Sequence, residues 1–294
     1  FGRIVTSAAN AFTDMVLSTT TFGLIKIYGA DIDSYTGNAL SGVGDINGDG
    51  IDDIVIGASW ASPLDRLNAG IVYVVFGDNN IDNVYLSTIV TGSTAGFRIF
   101  GAEAGDRCGF SVSGAGDVNG DGKADFLVGC YQGSPDVSRA QGGTTFITFG
   151  NSSTGPRADM DLLGRAIGLS TGFRIGGAAA DDRSGSSVSN AGDVNGDGTD
   201  DMIIGAYMAS RIVSGIPRTN CGISYVVYGR TSTAVANVAL NNFVPPMGFR
   251  IIGAAAGDKC GFSVSGAGDI NDDGRADVIV GSRGAVAVNG IPST

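Results

Sequence analysis

Four short segments place oxygen-bearing side chains at one repeated spacing. Counted from the first aspartate, position 1 is Asp45, Asp117, Asp193 or Asp269, and position 3 is Asn47, Asn119, Asn195 or Asn271. Position 5 is Asp49, Asp121, Asp197 or Asp273, and position 9 is Asp53, Asp125, Asp201 or Asp277. Alternate residues of a tight loop can turn carboxylate and amide oxygens onto one hard cation, which in the case of calcium takes six to eight oxygens. Position 7 varies (Ile51, Lys123, Thr199, Arg275), as expected if only its backbone carbonyl coordinates. Glycine at position 6 permits the positive φ that folds such a loop back. The competing reading is that Asp and Asn only cap a turn through Asx hydrogen bonds. Against it, three carboxylates within nine residues repel one another unless a cation sits among them.

A helix-flanked calcium loop is excluded, because it needs an acidic residue at position 12 and a following helix. Position 12 is Ile56, Val128, Ile204 or Val280, each inside a β-type apolar run. The chain contains no histidine, which removes Ser-His-Asp and Cys-His nucleophile arrangements and imidazole zinc sites. No residue near the loops offers an acid or base for metal-assisted hydrolysis, so the reading is a non-enzyme with structural calcium, about four ions. The net charge of −11 makes nucleic acid a poor partner and divalent cations good ones. Four calcium ions would cancel eight of those charges. The four cysteines, Cys108, Cys130, Cys221 and Cys260, have no CxxC spacing. They read either as buried thiols or as one or two disulfides, with the pairing open.

The elements that must hold these loops recur with them. The first aspartates are 72, 76 and 76 residues apart. Ahead of three loops stands a long shared segment, beginning GFRIFGAEAGD at Gly96, GFRIGGAAADD at Gly172 and GFRIIGAAAGD at Gly248; a weaker copy, LIKIYGADIDS, begins at Leu24. After three loops comes another, ending YVVFG at Gly77, TFITFG at Gly150 and SYVVYG at Gly229. Each unit thus holds four apolar runs of four to seven residues, β-branched and aromatic, bounded by Gly and Asp. Such runs are strands. Four strands per repeat, at this period, predict an all-β propeller of four-stranded antiparallel blades, with repeats near 22–77, 96–150, 172–229 and 248–294 of one 1–294 domain. Phe1-Gly2 matches Phe76-Gly77, and Gly290-Ile291-Pro292 matches Gly215-Ile216-Pro217. The chain therefore reads as part of a longer propeller rather than a closed four-bladed ring. No signal peptide or membrane-spanning run is visible.

The DxNxDGxxD loop, the apolar strand ending Gly-Ala and the YVVFG strand resemble the FG-GAP repeats of integrin α-subunit propellers. The resemblance covers nearly the whole chain. It implies a seven-bladed propeller, with calcium at the loop residues named above and a ligand site on the opposite face. There are departures. The "FG" position reads Thr36-Gly37, Cys108-Gly109, Ser184-Gly185 and Cys260-Gly261. The "GAP" position reads Gly57-Ala58-Ser59, Gly129-Cys130-Tyr131, Gly205-Ala206-Tyr207 and Gly281-Ser282-Arg283, without proline. The expected role is adhesion or recognition outside the cell, of a protein or glycan ligand, with no membrane insertion by this chain and self-assembly left open. Alternatives are a subunit of an extracellular filament or surface layer, or a non-catalytic propeller attached to a hydrolase. Contact candidates on the variable loops are Trp60, Arg66, Tyr131, Arg139, Tyr207, Arg211 and Arg218, with Tyr131 and Tyr207 equally readable as inter-blade packing. Asn151-Ser152-Ser153 is a glycosylation tripeptide.

Overall fold

The computed structural model describes residues 25–79, 83–163, 171–231 and 236–285. Phe1-Gly2 and Gly290-Ile291-Pro292 lie outside them.

The apolar runs form strands as expected. The first sheet contains β2 (Thr36–Gly44), β3 (Asp53–Ala58), β4 (Ile71–Val75) and β6 (Gly96–Phe100), with β1 (Ile27–Tyr28) before it in the chain and β5 (Val84–Tyr85) between β4 and β6. The second contains β7 (Cys108–Gly116), β8 (Asp125–Cys130), β9 (Thr144–Thr148) and β11 (Gly172–Gly176), with β10 (Met160–Asp161) in between. The third contains β12 (Ser187–Gly192), β13 (Asp201–Ala206), β16 (Ile223–Val227) and β18 (Gly248–Ile252). A hairpin of β14 (Arg211–Val213) and β15 (Ile216–Arg218) projects from it, and β17 (Val238–Ala239) lies before β18. Last come β19 (Cys260–Gly268) and β20 (Asp277–Ser282), paired with each other.

The sheets and the sequence repeats are out of phase by one strand. The GFRI run that opens a sequence repeat is hydrogen-bonded to the preceding repeat: β6 pairs with β4, β11 with β9 and β18 with β16, all antiparallel. A period can be read from any starting point, and only hydrogen bonding fixes which four strands share a sheet. The sequence reading also missed a fifth strand. β5, β10 and β17 each pair in parallel with β1, β6 and β11 of the sheet before their own. We call these two-residue strands straps. Their signal was present but short: Asn83-Val84-Tyr85-Leu86, Asp159-Met160-Asp161-Leu162 and Asn237-Val238-Ala239-Leu240 share the pattern [Asn/Asp]-[Val/Met]-x-Leu.

The middle strands are apolar on both faces because each sheet is covered on both sides. In β4, Val72 and Val74 join a core with Phe126, Val128 and Phe146 of the second sheet. The alternate residues Ile71, Tyr73 and Val75 join Ile27, Leu86 and Ile89 on the other side. A third core lies between the second and third sheets, around Leu127, Ile147, Met202, Ile204 and Tyr225. Sheets approach most closely where glycine faces glycine. A Cβ on Gly57 would lie 1.9 Å from the carbonyl oxygen of Gly109, and one on Gly129 would lie 2.1 Å from that of Gly185. The "GAP" glycine of one sheet thus meets the "FG" glycine of the next, which gives both a steric reason. Among the described residues no pairing joins the first sheet to the last.

Candidate metal centre and the opposite loop face

Each acidic loop joins the first two strands of a sheet, so all four emerge at the same strand ends. In loop one the Asp45 carboxylate accepts the N–H groups of Gly48 (2.7 Å), Asp49 (3.1 Å) and Gly50 (2.8 Å). Asn47 Oδ1 accepts the Asp49 N–H, and Asp49 Oδ1 accepts the Ile51 N–H, both at 2.9 Å. The position-6 glycines Gly50, Gly122, Gly198 and Gly274 have φ of 87°, 82°, 89° and 84°, as the turn requires. The same bonds recur in the other loops: Asp117 accepts from Gly122, Asp193 from Gly198 and Asp269 from Gly274. Likewise Asn119, Asn195 and Asn271 accept from Asp121, Asp197 and Asp273, which in turn accept from Lys123, Thr199 and Arg275. The Asx bonding is therefore real, and it leaves the remaining lone pairs of these oxygens on one loop.

Position 9 does something the sequence did not reveal. Asp53 is fully buried and clasps two separate segments, accepting the Ile46 N–H at 3.0 Å and the Gly77 N–H at 2.8 Å. Asp125 does the same for Val118 and Gly150, and Asp201 for Val194 and Gly229. The acceptor thus ties the start of the loop to the end of the third strand of its sheet. Burial pushes the carboxyls of Asp53, Asp125 and Asp201 up to about 6, 7 and 6, with loop-mate aspartates adding to the rise. In loop four Asp277 accepts the Ile270 N–H at 2.9 Å and, among the described residues, the Asn271 amide at 3.4 Å on its other oxygen. Asp272 replaces the position-4 glycine there and holds φ at 60°.

Charge at the outer positions moves the other way. Slight burial opposes it, but N–H bonds from Gly50, Gly48 and Asp49 hold the Asp45 carboxyl below the ordinary range. Adjacent loops are joined as well. Asp200, at position 8, accepts the Asp117 N–H at 2.8 Å, and Ala276 N–H donates to the Asp193 carbonyl at 3.0 Å. Lys123 lies 3.7 Å from Asp121, placing one cation inside its own loop.

The donor chemistry fits calcium, since every candidate donor is oxygen and each loop brings three carboxylates within nine residues. Among the described residues no three Asp, Glu, Cys or His side chains stand together as a metal cluster by themselves. An ion in loop one would therefore take the Asn47 amide oxygen and the Ile51 carbonyl besides Asp45, Asp49 and Asp53. The equivalent residues are those named for the other loops, with Lys123, Thr199 and Arg275 giving carbonyls.

The opposite strand ends carry the long loops and the turns between sheets. Trp60, 45% exposed, is covered by the Arg107 guanidinium 3.4 Å from its ring and lies 5.2 Å from Tyr35. Tyr131 meets Phe110 at 4.2 Å, with Arg183 5.8 Å from its ring; Tyr207 meets Phe262 at 5.4 Å, with Arg283 4.8 Å from Phe262. Tyr207 thus packs across a sheet junction ring to ring, whereas Tyr131 and Trp60 stack on aromatics of their own sheets and meet the next sheet through Arg183 and Arg107. Three of the contact candidates are committed inward. Arg66, Arg139 and Arg218 donate to the carbonyls of Ala102, Gly177 and Gly253, at 3.0, 2.7 and 3.0 Å. Arg211 stays exposed on the β14–β15 hairpin beside Ile212 and Ile216, 68% and 63% exposed. Asn151 is exposed but stands on the acidic side, its N–H donating to the Ile46 carbonyl at 2.9 Å.

Cys108 and Cys130 form a disulfide, while Cys221 and Cys260 are buried thiols. No helix among the described residues is long and apolar enough to cross a membrane.

The FG-GAP repeat family pattern matches residues 36–75, 109–147 and 184–227. Those spans cover the first three strands of each sheet, in the phase that hydrogen bonding sets. The chain is 28% identical to integrin alpha-PS2 of Drosophila melanogaster over 193 residues, covering 64% of this chain and 12% of that protein. It is 31% identical to human integrin alpha-IIb over 191 residues, 64% of this chain and 16% of that protein. It is also 28% identical to bovine phosphatidylinositol-glycan-specific phospholipase D over 181 residues, 60% of this chain and 18% of that protein. The chain therefore matches less than a fifth of the length of each of these relatives.

Proposed function

We propose that the chain is an integrin α-like FG-GAP repeat propeller, stabilised by calcium and acting in recognition outside the cell. The observation that carries the calcium half is the position-9 carboxylate: buried, held by two main-chain segments, and pushed up to about 6 by burial and by its loop-mates. Calcium bound there would supply positive charge beside the three carboxylates of a loop and offset their mutual repulsion. The chain's own part is to present Asp45, Asn47, Asp49, Ile51 and Asp53, and their equivalents, on a closed turn. Adhesion is supported by the integrin α relatives, and the face opposite the acidic loops is the ligand side, built on Trp60, the β14–β15 hairpin and exposed Leu64 and Leu67. Asn151, exposed and in a loop, is the proposed glycan attachment point. The integrin relatives also favour a non-catalytic role.

Calorimetric titration with calcium, paired with melting curves in calcium and in EDTA, tests this reading. Saturable binding and a lower melting temperature in EDTA are expected. Identical melting curves would refute structural calcium. Trp60 is the chain's one tryptophan, so its emission reports the proposed ligand face. Matrix proteins and glycans that bind in calcium should shift it, and binding that never perturbs it would move the ligand site elsewhere. The phospholipase D relative supports a second reading, a propeller that accompanies a hydrolase. Sequence on either side of this chain that encodes a catalytic domain would favour it.

A further inference from the structure

The residue at position 2 of a loop uses the two sides of its backbone to reach different sheets. Its N–H donates to the position-9 carboxylate of its own loop: Ile46 to Asp53, Val118 to Asp125 and Val194 to Asp201, at 3.0, 3.1 and 2.9 Å. Its carbonyl accepts from the next sheet, Ile46 from the Asn151 N–H at 2.9 Å and Val118 from the Arg230 N–H at 2.8 Å. The residue before each of those donors turns its own N–H the other way. Gly150 donates to Asp125 and Gly229 to Asp201, both at 2.9 Å. Two consecutive N–H groups, on Gly150 and Asn151 or on Gly229 and Arg230, thus tie the position-9 carboxylate of one loop to the position-2 carbonyl of the loop before it. The bonds run unbroken from Asp53 through Asp125 to Asp201.

Each link is held in place on both sides. Ile46 and Val118 are buried in the cores between successive sheets. A Cβ on Gly150 or Gly229 would lie 2.3 Å from the carbonyl oxygen of Ala124 or Asp200, so neither glycine has room to slide. The residue after each donor rests on the position-4 glycine of the earlier loop. A Cβ on Gly48 would stand 3.2 Å from Ser152 Cα, and one on Gly120 would stand 2.8 Å from Thr231 Cγ2. Glycine at position 4 therefore lets the next sheet close over the loop. Arg157 supports the first link, its Nη2 lying 3.4 Å from the Ile46 carbonyl oxygen.

We propose that these links make loops one, two and three bind calcium as a coupled row, each ion raising the affinity of the loops beside it. The coupling presupposes the calcium binding proposed above. An ion in loop two fixes Asp125, which fixes Gly150 and, one residue on, Asn151. Asn151 in turn holds the Ile46 carbonyl and with it the start of loop one. Part of the ordering that loop one must undergo is then complete before its own ion arrives, which is positive cooperativity without a change of fold. Hydrogen bonds joined end to end also strengthen one another. Between loops two and three Asp200 supplies a second connection, so the junction of loops one and two is the place to test the link through Asn151.

The Gly50, Gly122 and Gly198 amides each donate to the first aspartate of their own loop, so their hydrogen exchange through a calcium titration of the whole chain reads the three loops separately. In the parent chain the three protections should rise together and more steeply than a single-site curve. Asp121→Ala removes a proposed ligand of loop two and leaves every linking bond in place. It should move the midpoints for Gly50 and Gly198 to about fivefold higher calcium or more. Asn151→Pro removes one linking N–H and no proposed ligand. In that background Asp121→Ala should still move Gly198 but should move Gly50 by less than about twofold. Smaller shifts than about fivefold for Gly50 and Gly198 in Asp121→Ala alone overturn the coupling, whether or not the proline variant folds. A Gly50 shift that persists in the proline background overturns the assignment of the link to Asn151. Protection that never responds to calcium in any of the three loops overturns the calcium reading itself, and the coupling with it.

Discussion

Both carboxylate oxygens of Asp125 accept main-chain N–H groups, from Val118 and Gly150, and the side chain is fully buried. Removing a buried acceptor leaves donors unsatisfied at about 1–3 kcal/mol each. Asp125→Ala should therefore destabilise the chain by ~2–5 kcal/mol in urea unfolding even in EDTA, whereas Asp121→Ala, on the outer loop, should cost stability mainly when calcium is present. Equal losses for the two variants in EDTA would remove the clasp role. Asp182 offers a test away from the metal loops. It is 6% exposed, accepts the Ala179 N–H at 2.9 Å, and burial, with Asp181 beside it, pushes its carboxyl up to about 6. Its folded value lies above its unfolded one, so the native state holds the proton more tightly. That contribution is complete below about pH 4 and is lost as pH rises through about 6. Asp182→Asn keeps the acceptor and removes the charge. The variant should gain on the parent between pH 4 and pH 7 by up to ~3 kcal/mol, one shifted unit being about 1.4 kcal/mol. Parallel stability–pH curves for the two proteins would contradict this.

At the level of the element, the loops, the glycine contacts and the straps divide the work of joining sheets. Gly129 faces the Gly185 carbonyl so closely that a methyl group has no room. Gly129→Ala should cost ~3 kcal/mol or more, because main chain has to move to admit it. A loss below ~1 kcal/mol would show that the sheets slide apart easily. Leu162 anchors the strap β10 from beneath and is 1% exposed. Leu162→Ala should cost ~2–5 kcal/mol and raise amide exchange along β6, the strand it covers. The Cys108–Cys130 bridge closes a loop across the acidic turn of the second sheet, joining residues already paired in register. The strap pattern explains why an edge that would otherwise expose unpaired N–H and C=O groups is covered in the first two sheets.

Over the whole molecule, acidic turns gather at one set of strand ends, and Trp60, Arg107, Arg183, Arg211 and Arg283 stand at the other. The excess negative charge is thereby concentrated on the side where calcium is proposed to bind. At about 100 times its Kd, calcium adds ~2.7 kcal/mol for each site, and emptying one site should lower the melting temperature by ~5–10 °C. Hydrogen bonds such as Asp117 N–H to Asp200 couple neighbouring loops, so Asp200→Ala should weaken calcium binding in loop two as well as loop three. Titration of that variant with only loop three altered would show the loops to be independent.

Strand identity, the four-strand repeat and the identity of the loop oxygens were legible in the sequence, because apolar alternation, glycine punctuation and the Asp-x-Asn-x-Asp spacing are local properties repeated four times. Local pattern does not contain phase, partner or burial. Only the folded chain decided that the GFRI strands close the preceding sheet, that two-residue straps complete it, and that Arg66, Arg139 and Arg218 turn inward to carbonyls. It alone decided that Asp53, Asp125 and Asp201 clasp residues 24 to 28 positions away. Each of these depends on which main-chain groups long-range pairing leaves unsatisfied, and that is fixed by the packing of neighbouring sheets rather than by any residue's own preference.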